Sequence, residues 1–218
     1  MALTKHKSAS VSDNRENDRE NRANLKQDRR AVRTRRQLDA AFVDLLHRRA
    51  YGNIRVSDIT RKAGVGRATF YAHYSSKDDL LRSQFNRTVA PMLALKPQDP
   101  CPLDASALLA HVQAMPRIYK ALMGPAAGGA PRILLERFEQ RIEESLALRA
   151  KLFRDIPAGL NLYQVVTTRF VASSLFTVME CFVETSAPES PQALQAIFSG
   201  LVGGGLVAFG KIASVQRN

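Results

Sequence analysis

One short stretch holds Arg67, Ala68, Thr69, Tyr71, His73 and Lys77. These side chains suit a nucleic-acid duplex. Arginine reads guanine bidentately in the major groove, and alanine and the threonine methyl fit thymine methyls. Threonine, tyrosine and histidine can donate to phosphate oxygens. Lys77 adds a charge where a helix start offers backbone N–H groups to anions. Catalytic patterns are missing from the sequence. There is no Ser/His/Asp order, no phosphate-binding loop and no dinucleotide glycine motif, so neither an enzyme nor a cofactor is expected. The four histidines, at 6, 47, 73 and 111, have no metal-ligand spacing with one another or with Cys101 and Cys181. The two cysteines are too few for a disulfide framework and are expected as buried small hydrophobes in a reducing cytosol.

The stretch needs elements to hold it. Val56 to Ala63 and Arg67 to Tyr74 read as two short helices joined by a glycine turn, which is a helix-turn-helix pattern. Ala63 is small enough for close helix approach, Gly64 permits the turn, and Val65 plugs the corner. Phe70 and Tyr74, four apart, turn inward. Before them Leu38, Ala41, Phe42, Leu45 and Leu46 form a helical stripe, with Thr34 and Gln37 spaced as a capping box. That helix is expected to end near Tyr51-Gly52-Asn53, where glycine or asparagine can be left-handed. After the stretch, Ser75-Ser76 caps a helix carrying Asp78 and Asp79 in its first turn and Leu80, Leu81, Phe85 and Val89 beyond, until Pro91 kinks or ends it. By pattern alone, an ordinary helical hairpin with a solvated basic face fits equally well.

Residues 33–82 resemble the amino-terminal domain of the TetR/AcrR family of bacterial transcriptional regulators. The resemblance rests on Thr34-Arg35-Arg36-Gln37-Leu38, Val56-Ser57-Asp58-Ile59, Ala63-Gly64-Val65, Ala68-Thr69-Phe70-Tyr71-Ala72-His73-Tyr74 and Lys77-Asp78-Asp79-Leu80-Leu81. It implies that Arg67 and Ala68 face bases. It implies that Thr69, Tyr71, His73 and Lys77 hold phosphates and that Ser57 touches the backbone or a base edge. Thr34 and Arg36 join this DNA-binding set. Arg55 replaces a common threonine N-cap and could itself reach a phosphate, and Gly66 replaces a common serine or asparagine. Arg29, Arg30, Arg33, Arg35 and Arg36 form either an arm along the DNA or a solubilising tail.

Charge divides the chain in the same place. Residues 1–90 carry 20 basic and 10 acidic side chains, whereas residues 91–218 carry 12 and 10, so the net charge of +12 sits almost wholly in the first part. A polyanion partner is therefore expected for that part alone. Residues 1–30 are polar and charged and are expected to be disordered. Residues 31–77 are expected to form the DNA-binding domain, and 78–218 a ligand-binding and dimerisation domain. In the latter, helices are expected over about 104–115, 117–123, 131–154, 160–185 and 192–212, with no alternating strand pattern. The fold class is all-α. The amino terminus is charged and polar, so no secretory leader is expected. The apolar runs near 170–179 and 196–209 are too short or too glycine-rich for a membrane span.

Ala196, Gly200 and Gly204 leave room for a close helix neighbour, whereas Gly203-Gly204-Gly205 either packs tightly or breaks the last helix. The resemblance implies a homodimer through the last two helices and a small-molecule pocket. Phe85, His111, Tyr119, Phe138, Tyr163 and Arg169 are the candidate liners. The expected function is a cytoplasmic, nucleoid-associated, ligand-responsive repressor on a palindromic double-stranded operator, released by an unknown small-molecule effector. A transcriptional activator, an effector-independent DNA-binding protein, and a small-molecule binder with vestigial DNA binding are the alternatives.

Overall fold

The computed structural model describes residues 9–152, 161–185 and 189–215, with side chains over 28–148, 164–185 and 189–208. Helix α1 runs Ala9–Leu46. The expected disorder of residues 1–30 is thus corrected from Ala9 onward. Low apolar content does not forbid helix.

Helices α2, Val56–Ala63, and α3, Arg67–Tyr71, complete the first domain with α1. Leu38, Phe42, Leu45, Ile54, Ile59 and Phe70 are its buried core. Between α1 and α2 a three-ten turn, Tyr51–Asn53, buries the Tyr51 ring edge-on against Phe42, with centroids 6.1 Å apart. Gly52 is not left-handed there, contrary to expectation. Its glycine is required by proximity. The Gly52 N–H donates to the Ala126 carbonyl at 3.1 Å, and a Cβ would lie 2.5 Å from that oxygen. Positive φ occurs instead at Gly64, 67°, where α2 ends, and at Gly128, 60°.

Helix α4, Lys77–Gln84, opens with a reciprocal cap. Ser76 Oγ accepts the Asp79 N–H at 3.0 Å, and Asp79 Oδ2 accepts the Ser75 N–H at 2.9 Å. The chain then widens into a π turn, Phe85–Val89, and tightens into a three-ten turn, Ala90–Met92. Pro91 explains the irregularity. It has no N–H to give, and its ring crowds the carbonyl four residues back, at Arg87. The ladder adapts upstream by an i,i+5 bond, Ala90 N–H to Phe85 O.

A two-residue antiparallel ladder follows, β1 (Ala94–Leu95) against β2 (Leu103–Asp104). The sequence pattern could not reveal it, because strands this short have no alternation to read. The second domain is otherwise helical. It comprises α5 (Ser106–Ala114), α6 (Pro116–Met123), α7 (Ala130–Leu152), α8 (Asn161–Thr185) and α9 (Pro191–Val215). Among the described residues the fold is all-α apart from that ladder. Helix α9 continues unbroken through its glycines. A Cβ at Gly203 would lie 3.2 Å from Pro100, and one at Gly205 would lie 3.3 Å from the Phe170 ring. Each glycine costs about 1 kcal/mol relative to alanine in a helix, and close packing at these two offsets it. Cys101 is buried, with Sγ donating to Leu103 O at 3.3 Å, whereas Cys181 is exposed, contrary to the expectation that both are buried.

Candidate nucleic-acid interface and apolar cavity

The turn between α2 and α3 is built from backbone bonds. Val65 N–H donates to Thr60 O at 3.0 Å, and Gly64, left-handed, donates to the Arg61 and Thr60 carbonyls. Arg55 heads α2. Its side chain has no acceptor, so only half a capping box forms, with Asp58 Oδ2 accepting the Arg55 N–H at 3.0 Å. Gly66 heads α3 without a side-chain cap.

Helix α3 is short and sharply two-sided. It ends at Tyr71, three residues sooner than expected, and His73 and Tyr74 N–H both turn back to the Phe70 carbonyl at 2.9 Å. Phe70 and Tyr74 are buried, with rings 5.8 Å apart. Arg67 and Ala68 are exposed, and Tyr71 is 55% exposed with its ring edge-on to Phe70 at 5.4 Å. Thr69 and His73 are half-buried at the margin of this face. Ser57 and Thr34 are half-buried, and Arg36 and Arg55 are exposed.

Lys77 differs from the rest. Its Nζ donates to the Tyr51 and Ile54 carbonyls, each at 2.8 Å, and lies 4.0 Å above the Tyr51 ring. Burial lowers its pKa. Two of the ammonium's three donors therefore tie the start of α4 to the turn before α2. The Tyr51 hydroxyl donates to Asp78 on the same turn, and burial, reinforced by that carboxylate, pushes its pKa up.

A polar node that the sequence reading did not foresee closes the other end of α4. The Tyr74 hydroxyl donates to Asp39 Oδ1 at 2.9 Å, and the Arg87 guanidinium donates to Asp39 Oδ2 at 2.7 Å and to the Tyr74 hydroxyl at 3.3 Å. It joins α1, the residues after α3, and the π turn. Tyr74 was legible as inward-facing. Its two partners, 35 and 13 residues away, had no local signal.

Between the domains lies a cavity of about 180 Å³. Phe85, His111, Tyr119 and Phe138, four of the candidate liners, surround this space. Arg169 does not: it is exposed on α8, a helix apolar on most of its circumference, which leaves the charged head in water. Tyr163 lies in α8, but its side chain falls outside the described residues. Sequence reasoning missed the wall from the first domain, formed by Phe42, Val43 and Leu46 of α1. The helical stripe marked Phe42 and Leu46, though not Val43, as apolar and inward without saying what faced them. His111 Nδ1 and the Tyr119 hydroxyl share a hydrogen bond of 2.8 Å. Burial lowers the His111 pKa below its ordinary 6.5 and raises that of Tyr119.

The family model described as "Bacterial regulatory proteins, tetR family" matches residues 38–83, the span from the α1 core through α4. Over that stretch the chain is similar to the TetR family. Its relatives include the HTH-type transcriptional regulator YxbF of Bacillus subtilis (strain 168), 48% identical over 67 residues, or 30% of this chain and 18% of that one. YwcC of the same organism, another HTH-type transcriptional regulator, is 51% identical over 41 residues, or 19% of this chain and 18% of that one. The matched stretch thus spans under a fifth of either relative. Two solved structures share the fold. The TetR transcriptional regulator from Streptococcus agalactiae 2603V has a TM-score of 0.51 at 22% identity, covering 82% of this chain and 98% of that one. The dihydroxyacetone kinase operon activator DhaS has a TM-score of 0.52 at 20% identity, covering 82% and 97%. YxbF, YwcC and the Streptococcus agalactiae protein are described as transcriptional regulators, and DhaS as an operon activator.

Proposed function

We propose that this protein is a homodimeric, ligand-responsive transcriptional repressor that binds a near-palindromic duplex operator through α3. One observation carries the reading. Burial of Phe70 and Tyr74 leaves Arg67, Ala68 and Tyr71 together on the exposed side of a short helix set by a left-handed glycine. In the major groove Arg67 and Ala68 meet base edges, while Thr69, Tyr71, His73, Ser57, Thr34, Arg36 and Arg55 fit phosphates around them.

Dimerisation through α8 and α9 is supported by apolar side chains that the protomer does not cover. Val166 and Phe170 on α8 and Ile197, Leu201 and Val207 on α9 are exposed, and among the described residues no neighbouring element comes within 4 Å of a Cβ placed at Gly200 or Gly204. Residues Gln164–Thr185 are long and apolar enough to cross a membrane. Val171, Ala172, Leu175 and Met179 are nevertheless buried in the domain core, so a partner's helices account for the opposite face better than lipid does. A two-fold dimer would set two copies of α3 about 34–36 Å apart, or a multiple of that, hence a palindromic site.

Release by an effector is supported by the cavity's position against α1 and α4. A ligand shifts the equilibrium only by its difference in affinity for the two arrangements. Selection of bound duplexes from a random pool tests the function. An inverted repeat is expected, and Arg67→Ala should relax base preference at one position in each half-site. Binding that follows salt alone, with no enriched sequence, would overturn the reading.

A further inference from the structure

The cavity between the domains is specific about the chemistry it can hold. Among its described lining residues there is no Asp, Glu, Lys or Arg. A carboxylate or ammonium moved into it would lose its hydration with no opposite charge to meet. Its polar groups are few: Gln84 and Thr88 on the α4 side, and the His111–Tyr119 pair on the other. That pair offers a ligand one neutral donor or one acceptor, because one partner already satisfies the other at 2.8 Å. Phe42, Phe85, Tyr119 and Phe138 supply aromatic walls, with Phe85 and Phe138 already edge-to-face at 5.3 Å. Such walls take a further ring in offset or edge-on contact. Met115 and Met179 add thioethers, which also pack well on ring edges. A dry apolar cavity of about 150 Å³ accommodates benzene, and this one is about 180 Å³.

We propose that the effector is an uncharged aromatic molecule of one or two rings with a single hydrogen-bonding substituent, anchored at the His111–Tyr119 pair and seated between α1 and α6. This rests on the ligand-responsive reading above. Phe42, Val43 and Leu46 belong to the first domain, while Ile118, Tyr119 and Leu122 belong to α6, so the ring is held by both domains at once.

An isosteric series tests the proposal on the full-length protein. Benzyl alcohol, indole, benzoate and benzylammonium are compared by thermal shift and by titration calorimetry, with operator binding measured separately. Benzyl alcohol and indole are expected to bind and raise the melting temperature, and benzoate and benzylammonium to bind at least about tenfold more weakly. Tyr119→Phe, which keeps the ring and removes the hydroxyl, should weaken benzyl alcohol several-fold and leave toluene unchanged. Leu122→Phe, which fills the cavity, should abolish both, with circular dichroism confirming its fold. Tighter binding of either charged isostere overturns the proposal, as does no binding of any neutral ring by a protein that binds its operator. Neutral-ring binding that leaves operator affinity unchanged supports the ligand class and refutes the release step of the repressor reading instead.

Discussion

Lys77 separates a structural from a DNA-contacting role. Replacing it with methionine keeps the stem and removes the ammonium. Lost with it are two charge-assisted hydrogen bonds of 2.8 Å and a cation–ring contact at 4.0 Å. Hydrogen bonds from charged groups contribute about 1.5–3 kcal/mol each, and a partly exposed cation–π contact about 0.5–1 kcal/mol. Two opposing effects reduce that total. The ammonium is half-buried, and burial lowers its pKa, so methionine regains a desolvation penalty. Tyr51 and Ile54, which carry the freed carbonyls, are buried, but Gly52 and Asn53 between them are exposed, so solvent lies beside those carbonyls. A net loss of about 2–3 kcal/mol remains, which for a chain of this size lowers the melting temperature by about 4–12 °C.

The matching assay is thermal and urea unfolding of wild type and Lys77→Met, followed by operator binding against salt well below both melting temperatures. The loss of one phosphate contact would lower the salt slope by about 0.9. The clamp predicts a clear stability loss with a slope change no larger than that. A variant that melts within a degree of wild type, yet binds the operator far more weakly, would refute the clamp and make Lys77 a free phosphate ligand.

Further changes probe other parts of the structure. Gly52→Ala puts a Cβ 2.5 Å from the Ala126 carbonyl oxygen, so it should cost about 1–3 kcal/mol and speed hydrogen exchange at the Gly52 amide. Leu201, 64% exposed in the protomer, should tolerate glutamate with little change in protomer folding, whereas sedimentation should show dimer dissociation; an intact dimer would exclude the α9 face. His111 has a folded pKa lowered by burial from 6.5, so the unfolded chain takes up the proton first as pH falls. Stability should therefore drop as pH falls below about 6.5, and His111→Gln should flatten that loss in urea melts at pH 7.5 and 5.5.

Some of this was legible because it is local. Phe70 and Tyr74 stand four apart, so their burial and the exposure of Arg67 and Tyr71 follow from helical geometry. Gly64 ends α2 in the conformation that only glycine adopts freely, and Ser76 caps α4 through a residue three positions on. What was missed depends on distant neighbours. Lys77 meets carbonyls 26 and 23 residues earlier, and no local pattern distinguishes a clamping lysine from a phosphate-binding one. Gly52 looked like a left-handed turn glycine, and only the approach of Ala126 gives its reason. Four of six proposed cavity liners meet around one space, yet its α1 wall stayed hidden. A stripe such as Phe42 and Leu46 reports burial, not the identity of what it is buried against.

Helix α1 belongs to both halves, and this bears on how a filled cavity could reach the operator. Phe42 lines the cavity and also meets the ring of Tyr51. Tyr51 in turn holds the first turn of α4 twice, through its carbonyl to Lys77 and its hydroxyl to Asp78. At the far end of α4, Phe85 lines the same cavity at the start of the π turn that carries Arg87, the partner of Asp39 and Tyr74. A ligand pressing on Phe42 and Phe85 would therefore act on both ends of one helix, and each end is bonded to a residue flanking α2 or α3. Close-packed interiors answer such pressure by moving elements as units rather than by yielding smoothly. The π turn, with its i,i+5 bond, is where α4 departs from regular helix and so where a change of register is cheapest. Rotation there would carry Arg87 away from Tyr74, directly behind the exposed face of α3.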